Sequence, residues 1–182
     1  VTVDNNGIVT RVSPRTANIT YTVTTASGCA TISAPYAVTV NSVPTGNFNA
    51  TKTTICAGDL VTFTAPPGYD AYTFYVNGSI VKYPGNYPNP PNVYNSVVLK
   101  DGDKITVDVA NSSNCGTTFG PLVMNVNPLP TAGITSDKTV ICAGDNITFT
   151  ATGGTYFIFS VKTPTGTSIG QSGSSNIYTT NT

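Results

Sequence analysis

Thr54-Ile-Cys-Ala-Gly-Asp-Leu-Val-Thr-Phe-Thr-Ala65 returns as Val140-Ile-Cys-Ala-Gly-Asp-Asn-Ile-Thr-Phe-Thr-Ala151, at an offset of 86 residues. The same offset carries Ile19 onto Ile105, Cys29 onto Cys115, Pro35 onto Pro121, Pro44 onto Pro130 and Lys52 onto Lys138. A register held without a gap from the Ile19 region through Ala65 marks a tandem array of one module. The junctions Asn41-Ser-Val-Pro44 and Asn127-Pro-Leu-Pro130 bound a complete middle module, residues 43–128. Residues 1–42 match the C-terminal half of such a module and 129–182 its N-terminal part, so the chain reads as a stretch of a longer array. An array of this kind points to reach, spacing and adhesion more than to a single chemical reaction.

Within the quoted copies the apolar residues alternate. Val61, Phe63 and Ala65 can face inward while Thr62 and Thr64 face water, the period of a half-buried strand. Tyr72, Phe74 and Val76 repeat the pattern, as do Ile105, Val107 and Val109, and then Leu122, Met124 and Val126. Strands are therefore expected over 47–55, 60–65, 72–77, 93–99, 104–110 and 118–127. Gly (17) and Pro (13) are frequent enough to interrupt any long helical period. Asp101-Gly102 reads as a turn joining two antiparallel strands. The fold class expected is all-β: tandem immunoglobulin-like β-sandwich modules set end to end. Between the third and fourth strands, Lys82 to Tyr94 is rich in Pro and Tyr. Proline cannot donate to a ladder, so this stretch is expected at an edge or in a loop.

Charge is sparse: eight Lys plus Arg balance eight acids, all of them Asp, and there is no His. No basic stripe is present to displace counterions from phosphates, which argues against nucleic acid as a partner. No apolar run approaches the roughly 20 residues that span a bilayer, so no membrane insertion is expected in this segment. Export signals are expected to lie outside it. Without His, neither Ser-His nor Cys-His arrangements can form within these residues. The chain is read as non-enzymatic, with no catalytic, cofactor-binding or metal-binding residues. Asp101 and Asp103 are expected to sit in a solvated turn. Asp59 and Asp145, which recur after Cys-Ala-Gly, are expected to accept backbone N–H groups there. Too few carboxylates cluster near the junctions for calcium, which wants six or more oxygens.

The Ile-Cys-Ala-Gly-Asp-x-Val/Ile-Thr-Phe-Thr-Ala segment, the cysteines in Ser27-Gly-Cys29 and Ser113-Asn-Cys115, and the Val-Asn-x-x-Pro junctions together carry a resemblance. They resemble the Ig-like or PKD-like tandem repeats of Bacteroidetes surface proteins, among them the very large type IX-secreted adhesins of gliding motility. Residues 3–23 also resemble the end of a bacterial Ig-like group 2 domain. The resemblance covers essentially the whole chain. It implies export, an extracellular location at the bacterial cell surface, and spacing or binding roles. The function expected is a repeat segment of a cell-surface adhesin filament, a semi-rigid spacer that contacts a substratum or glycan. The alternative is accessory Ig-like modules of a secreted polysaccharide-degrading enzyme. Expected partners are neighbouring modules of the same chain and surface polysaccharide or substratum. In other adhesin families a strand lysine such as Lys52 or Lys138 cross-links to an Asn, but that chemistry wants a buried acid and no Glu exists here.

Cys29, Cys56, Cys115 and Cys142 are disulfide candidates, since two thiols per module in an exported chain favour oxidation. Cys56 precedes one strand and Cys115 follows another running the same way, which places them at opposite poles roughly 20 Å apart. A disulfide needs Cα atoms within about 7 Å. Bonds across module junctions are the preferred reading, with an intramodule bond and free thiols as alternatives. Tyr83, Tyr87 and Tyr94 form the candidate ligand loop, their flat faces and polar tips suiting sugars or protein. The competing reading has these rings fold back over the sandwich edge and protect it from pairing.

Overall fold

The computed structural model describes residues 2–181 apart from 5, 11–12, 84–91 and 165. Among these residues every regular element is a strand. The chain divides into two compact units, Val1–Asn127 and Pro128–Thr182.

The first unit begins with the short pair β1 (Thr2–Val3) and β2 (Val9–Thr10), then β3 (Arg15–Ile19), β4 (Thr22–Thr24), β5 (Ala30–Ile32) and β6 (Tyr36–Val40). β3 pairs with β6 and β4 with β5, so residues 15–40 make one long, interrupted hairpin. There follow β7 (Asn49–Ala50), β8 (Thr54–Cys56), β9 (Val61–Thr64), β10 (Ala71–Val76), β11 (Ser79–Lys82), β12 (Val93–Ser96), β13 (Lys104–Ala110), β14 (Gly116–Val123) and β15 (Asn125–Asn127). One sheet has the order β11-β10-β13-β14 and the other β12-β9-β7. β15 and β8 form a parallel pair of their own.

The alternating residues meet between these sheets. Val61, Phe63 and Ala65 from β9 and its end, Tyr72 and Phe74 from β10, and Ile105, Val107 and Val109 from β13 are all buried in one cluster. Met124 and Val126 close it, and Val76 and Leu122 pack against it partly buried. Four rings form its centre: Phe63 stacks on Tyr94 at 5.9 Å, Tyr94 meets Phe74 at 5.7 Å, and Phe48 lies 6.2 Å from Phe63.

Several boundaries depart from the alternation pattern. The strand expected over 47–55 is divided into β7, which pairs with β9, and β8, which pairs with β15. The strand expected over 118–127 starts earlier, at Gly116, and is likewise divided at Met124. The peptide groups on either side of Met124 serve different partners, Met124 N–H donating to Asp103 O and Asn125 N–H to Thr53 O. Gly120 lies opposite the register shift between Ile105 and Val107 at φ +102, with the Ile105 carbonyl 2.7 Å from where a Cβ would stand. A side chain there would push β13 and β14 apart.

Asp101-Gly102 does not close a hairpin. β12 pairs with β9 and β13 with β10, so this turn carries the chain from one sheet to the other. The tight hairpin is instead Asn77-Gly78, both at positive φ, joining β10 to β11. β11 was not among the expected strands, although Asn-Gly between apolar residues is a strong hairpin signal.

The second unit comprises β16 (Gly133–Ser136), β17 (Asn146–Thr152), β18 (Phe157–Thr163), β19 (Gly166–Gly173) and β20 (Ile177–Asn181). Its sheets are β16-β17-β20 and β18-β19. Thr135 and Ser136 pair with Thr150 and Phe149 at the 86-residue offset from Asn49–Thr64 and Ala50–Phe63. The register shift after Phe74 in β10 recurs after Phe159 in β18, now at an offset of 85. Phe159 stacks on Tyr178 at 5.4 Å, where the corresponding rings Phe74 and Tyr94 meet at 5.7 Å in a tilted arrangement.

Phe63 packs against Phe48 and Tyr94 and is fully buried, so truncation leaves a cavity in the core. Phe63→Ala is expected to lower stability by about 3–5 kcal/mol in chemical denaturation. An exposed-face control, Thr64→Ala, is expected to stay within about 0.5 kcal/mol of the parent.

Candidate functional site

Two ends of the middle module and one sheet face hold its polar chemistry. At the first end, Cys56-Ala-Gly-Asp59 makes a tight turn with Gly58 at φ +91. Asp59 N–H donates to Cys56 O at 3.1 Å, and the Asp59 carboxylate accepts Cys56 N–H at 3.2 Å. Cys142 and Asp145 repeat both bonds at 3.0 and 3.1 Å. These carboxylates therefore accept backbone donors in the turn. Beside the turn, Ala57 N–H donates to Asn127 O.

Asp101 and Gly102 form an exposed turn, as expected, but Asp103 does not share its solvation. Asp103 is buried and accepts Lys100 N–H and the Asn77 amide, each at 2.8 Å. Asp101 accepts Val126 N–H at 3.0 Å. The chain crosses between sheets here, leaving backbone donors that no ladder can satisfy, and the carboxylates take them.

At the opposite end, Asn111 organises the β13–β14 turn. Its Oδ1 accepts Ser113 and Cys115 N–H, each at 3.1 Å, while its Nδ2 donates to Ser42 O at 2.8 Å. Tyr69 grips the same connection: its hydroxyl accepts Thr45 N–H at 2.8 Å and donates to Thr45 O at 2.9 Å. Pro44 is fully buried. The connection at 41–45 is thus held by side chains from two loops. Thr25 takes the place of Asn111 in the corresponding turn before Cys29, accepting Cys29 N–H at 3.2 Å.

Cys56 adjoins Asn127 near the start of β13, whereas Cys115 follows its end. Seven strand residues at ~3.3 Å each put them roughly 20 Å apart. All four cysteines are free thiols, Cys115 half-buried and Cys29, Cys56 and Cys142 exposed. Among the described residues no three His, Cys, Asp or Glu side chains are grouped to hold a metal ion. Lys52 is exposed, and Lys138 donates to the main-chain oxygen of Asn146 and not to a side-chain amide.

The three candidate tyrosines do not act together. Tyr94 packs into the core against Phe63 and Phe74. Tyr83 is exposed at the end of β11, and Tyr87 lies outside the described residues. The polar surface that alternation alone did not single out is the outer face of the four-stranded sheet. There Tyr75 donates to Asp108 at 2.8 Å and Thr118 donates to the other carboxylate oxygen at 2.6 Å. A shallow depression of about 310 Å³ lies beside them, lined by Thr73, Asp108, Thr117 and Thr118. The signal was present as polar residues at alternate positions in 71–76 and 104–110, but pairing across strands decides which of them meet. A carboxylate flanked by hydroxyls is a hydrogen-bonding surface. No protein-family model matches the chain, and no curated protein matches it in sequence.

The hydrogen bond to Asp108 raises the Tyr75 phenol above its ordinary value, helped by desolvation and by the charges of Asp108 and Tyr83. A raised folded value means the bond's stabilisation is fully present below the ordinary phenol value of about 10 and is lost as pH rises through the folded one. Asp108→Asn is expected to bring the Tyr75 midpoint down. Tyrosinate absorbance, referenced against Tyr75→Phe, measures it; an unchanged midpoint would contradict the assignment.

Proposed function

We propose that this chain is a non-enzymatic segment of a bacterial cell-surface adhesin filament, built of tandem Ig-like modules that act as a semi-rigid, load-bearing spacer. The reading is supported first by the repeat and its recurrent strand pairings. The observation that carries it is the parallel pairing of β8 with β15. These strands lie near the start and the end of the middle module, and they are tied by Asn125 N–H to Thr53 O at 2.8 Å and Ala57 N–H to Asn127 O at 2.9 Å. Tension applied through the chain ends pulls two parallel neighbours in opposite directions. It therefore loads their hydrogen bonds together in shear and does not unzip them singly. The grip of Tyr69 and Asn111 on residues 42–45 adds resistance to bending at the module's entry. Proline there restricts the preceding residue as well. On this reading exposed Cys56 is available for a bond across a junction, and the Tyr75–Asp108–Thr118 face and Tyr83 supply contacts to polysaccharide or another substratum.

Ala57 offers a selective test. It occupies the second position of a turn whose third is Gly58 at φ +91, where proline is favoured. Ala57→Pro then removes the donor to Asn127 O while the turn survives. The lost bond and the reduced freedom of the unfolded chain are each of order 1 kcal/mol and offset one another. Equilibrium stability is expected to stay within about 1 kcal/mol, while the unfolding force in single-molecule pulling falls. Equal unfolding forces for parent and variant would remove the load-bearing reading.

A further inference from the structure

We infer that the depression beside Asp108 binds an internal residue of a neutral polysaccharide, whose hydroxyls donate to the Asp108 carboxylate. The inference deepens the substratum contact proposed above and rests on that reading. Every strand of the four-stranded sheet lies within residues 71–123, so the site is complete in this chain.

The first observation is spare acceptor capacity. A carboxylate offers about four lone-pair sites, two on each oxygen. The Tyr75 hydroxyl takes one oxygen at 2.8 Å and the Thr118 hydroxyl the other at 2.6 Å. About one site on each oxygen is left over, and the two lie side by side. Two neighbouring hydroxyls of a sugar ring satisfy such a pair together. Tyr75 comes from β10 and Thr118 from β14, so the half-buried carboxylate is held from both sides. Its orientation is set before a ligand arrives, which lowers the cost of binding.

The second observation is shape. About 310 Å³ of open space is lined by Asp108, by the threonines Thr73 and Thr118, and by small Ala71, Ala110 and Gly116. That is the small end of the ~300–1,000 Å³ range of ligand pockets and suits one sugar ring. Because the depression is shallow, a polymer can enter and leave across the sheet, and no chain end is required.

The lining also selects the class of ligand. It is rich in acceptors and, among the described residues, has no basic side chain. Uronate, sulfate and phosphate groups are repelled by Asp108. An ammonium group is attracted, but an exposed ion pair gains little in water. The Tyr75 and Thr118 hydroxyls already stabilise the carboxylate charge, so neutral hydroxyl donors are what the open sites match.

The third observation is that the fold does not demand these residues. Thr22–Ile32 occupies the register of Asp108–Thr118, and Thr24–Ala30 that of Ala110–Gly116, each displaced by 86. In β18, Ser160 follows the register shift where Tyr75 follows it in β10. The strands pair in the same way without the Tyr–Asp–Thr arrangement, which belongs to the middle module.

The experiment measures binding of the full 182-residue chain to immobilised polysaccharides. The neutral probes are dextran, a β-1,3-glucan, galactomannan and arabinoxylan; alginate is the acidic probe and glycol chitosan the amino one. At least one neutral probe is expected to bind, and alginate is not. Asp108→Thr with Thr118→Ile installs the pair that the 15–40 hairpin carries at this register. It is expected to lower affinity at least tenfold and leave the circular-dichroism spectrum unchanged. Ala110→Thr, which introduces the counterpart Thr24 into the depression, is expected to weaken binding several-fold without touching Asp108. Neutral binding that survives both changes overturns this site and leaves a glycan contact on another surface standing. Binding of alginate or glycol chitosan alone overturns the neutral class. Failure of every probe to bind removes both this site and the polysaccharide contact of the proposed function, whereas the load-bearing reading is decided separately by pulling.

Discussion

The contact on which the sandwich of residues 43–127 depends is the ring cluster in which Phe63 lies between Tyr94, on the neighbouring strand, and Phe48, while Tyr94 and Phe48 in turn meet Phe74. Phe63 and Tyr94 belong to one sheet and Phe74 to the other, so these rings set the separation of the layers. Aliphatic residues of β13 then fill the remaining space, and Met124 and Val126 seal one end. With so few charges and so much Thr, Ser and Asn outside, the cluster is the main apolar term available to oppose chain entropy. Its recurrence as Phe159 on Tyr178 gives the second unit the same internal organisation on a smaller set of strands.

Around that core, polar side chains repair the places where strands change sheets. Asp59 and Asp145 complete turns, Asp101 and Asp103 hold the crossing before β13, and Asn111 and Tyr69 fix the connection at 42–45. No buried side-chain nitrogen or oxygen among the described residues lacks a partner. Most of the acids are therefore engaged in keeping the backbone satisfied.

The sequence by itself determined the 86-residue repeat, the all-β class, most of the strands and most of the core. Period two in 61–65, 72–76 and 105–109 is a local property, because successive side chains on a strand must face opposite ways whatever the strand pairs with. The Cys-Ala-Gly-Asp turn was equally legible, since its hydrogen bonds span three residues. The repeat also matched residues 1–42 to the C-terminal half of a module and 129–182 to its N-terminal part, and pairings displaced by 86 residues follow from the same residues at the same spacing.

Only the tertiary structure decided which strands became neighbours and what the ambiguous residues do. Tyr94 was legible as an aromatic beside a Pro-rich loop, but its place over Phe63 depends on β12 pairing with β9, some thirty residues earlier. Asp101-Gly102 has the composition of a hairpin turn and becomes a crossing, because Tyr94 and Ile105 are claimed by different sheets. The division of the first and last strands, the Tyr75–Asp108–Thr118 contact and the parallel pairing of β8 with β15 share that origin. Each joins residues far apart in sequence, and alternation fixes which face a side chain takes without fixing the partner across the ladder.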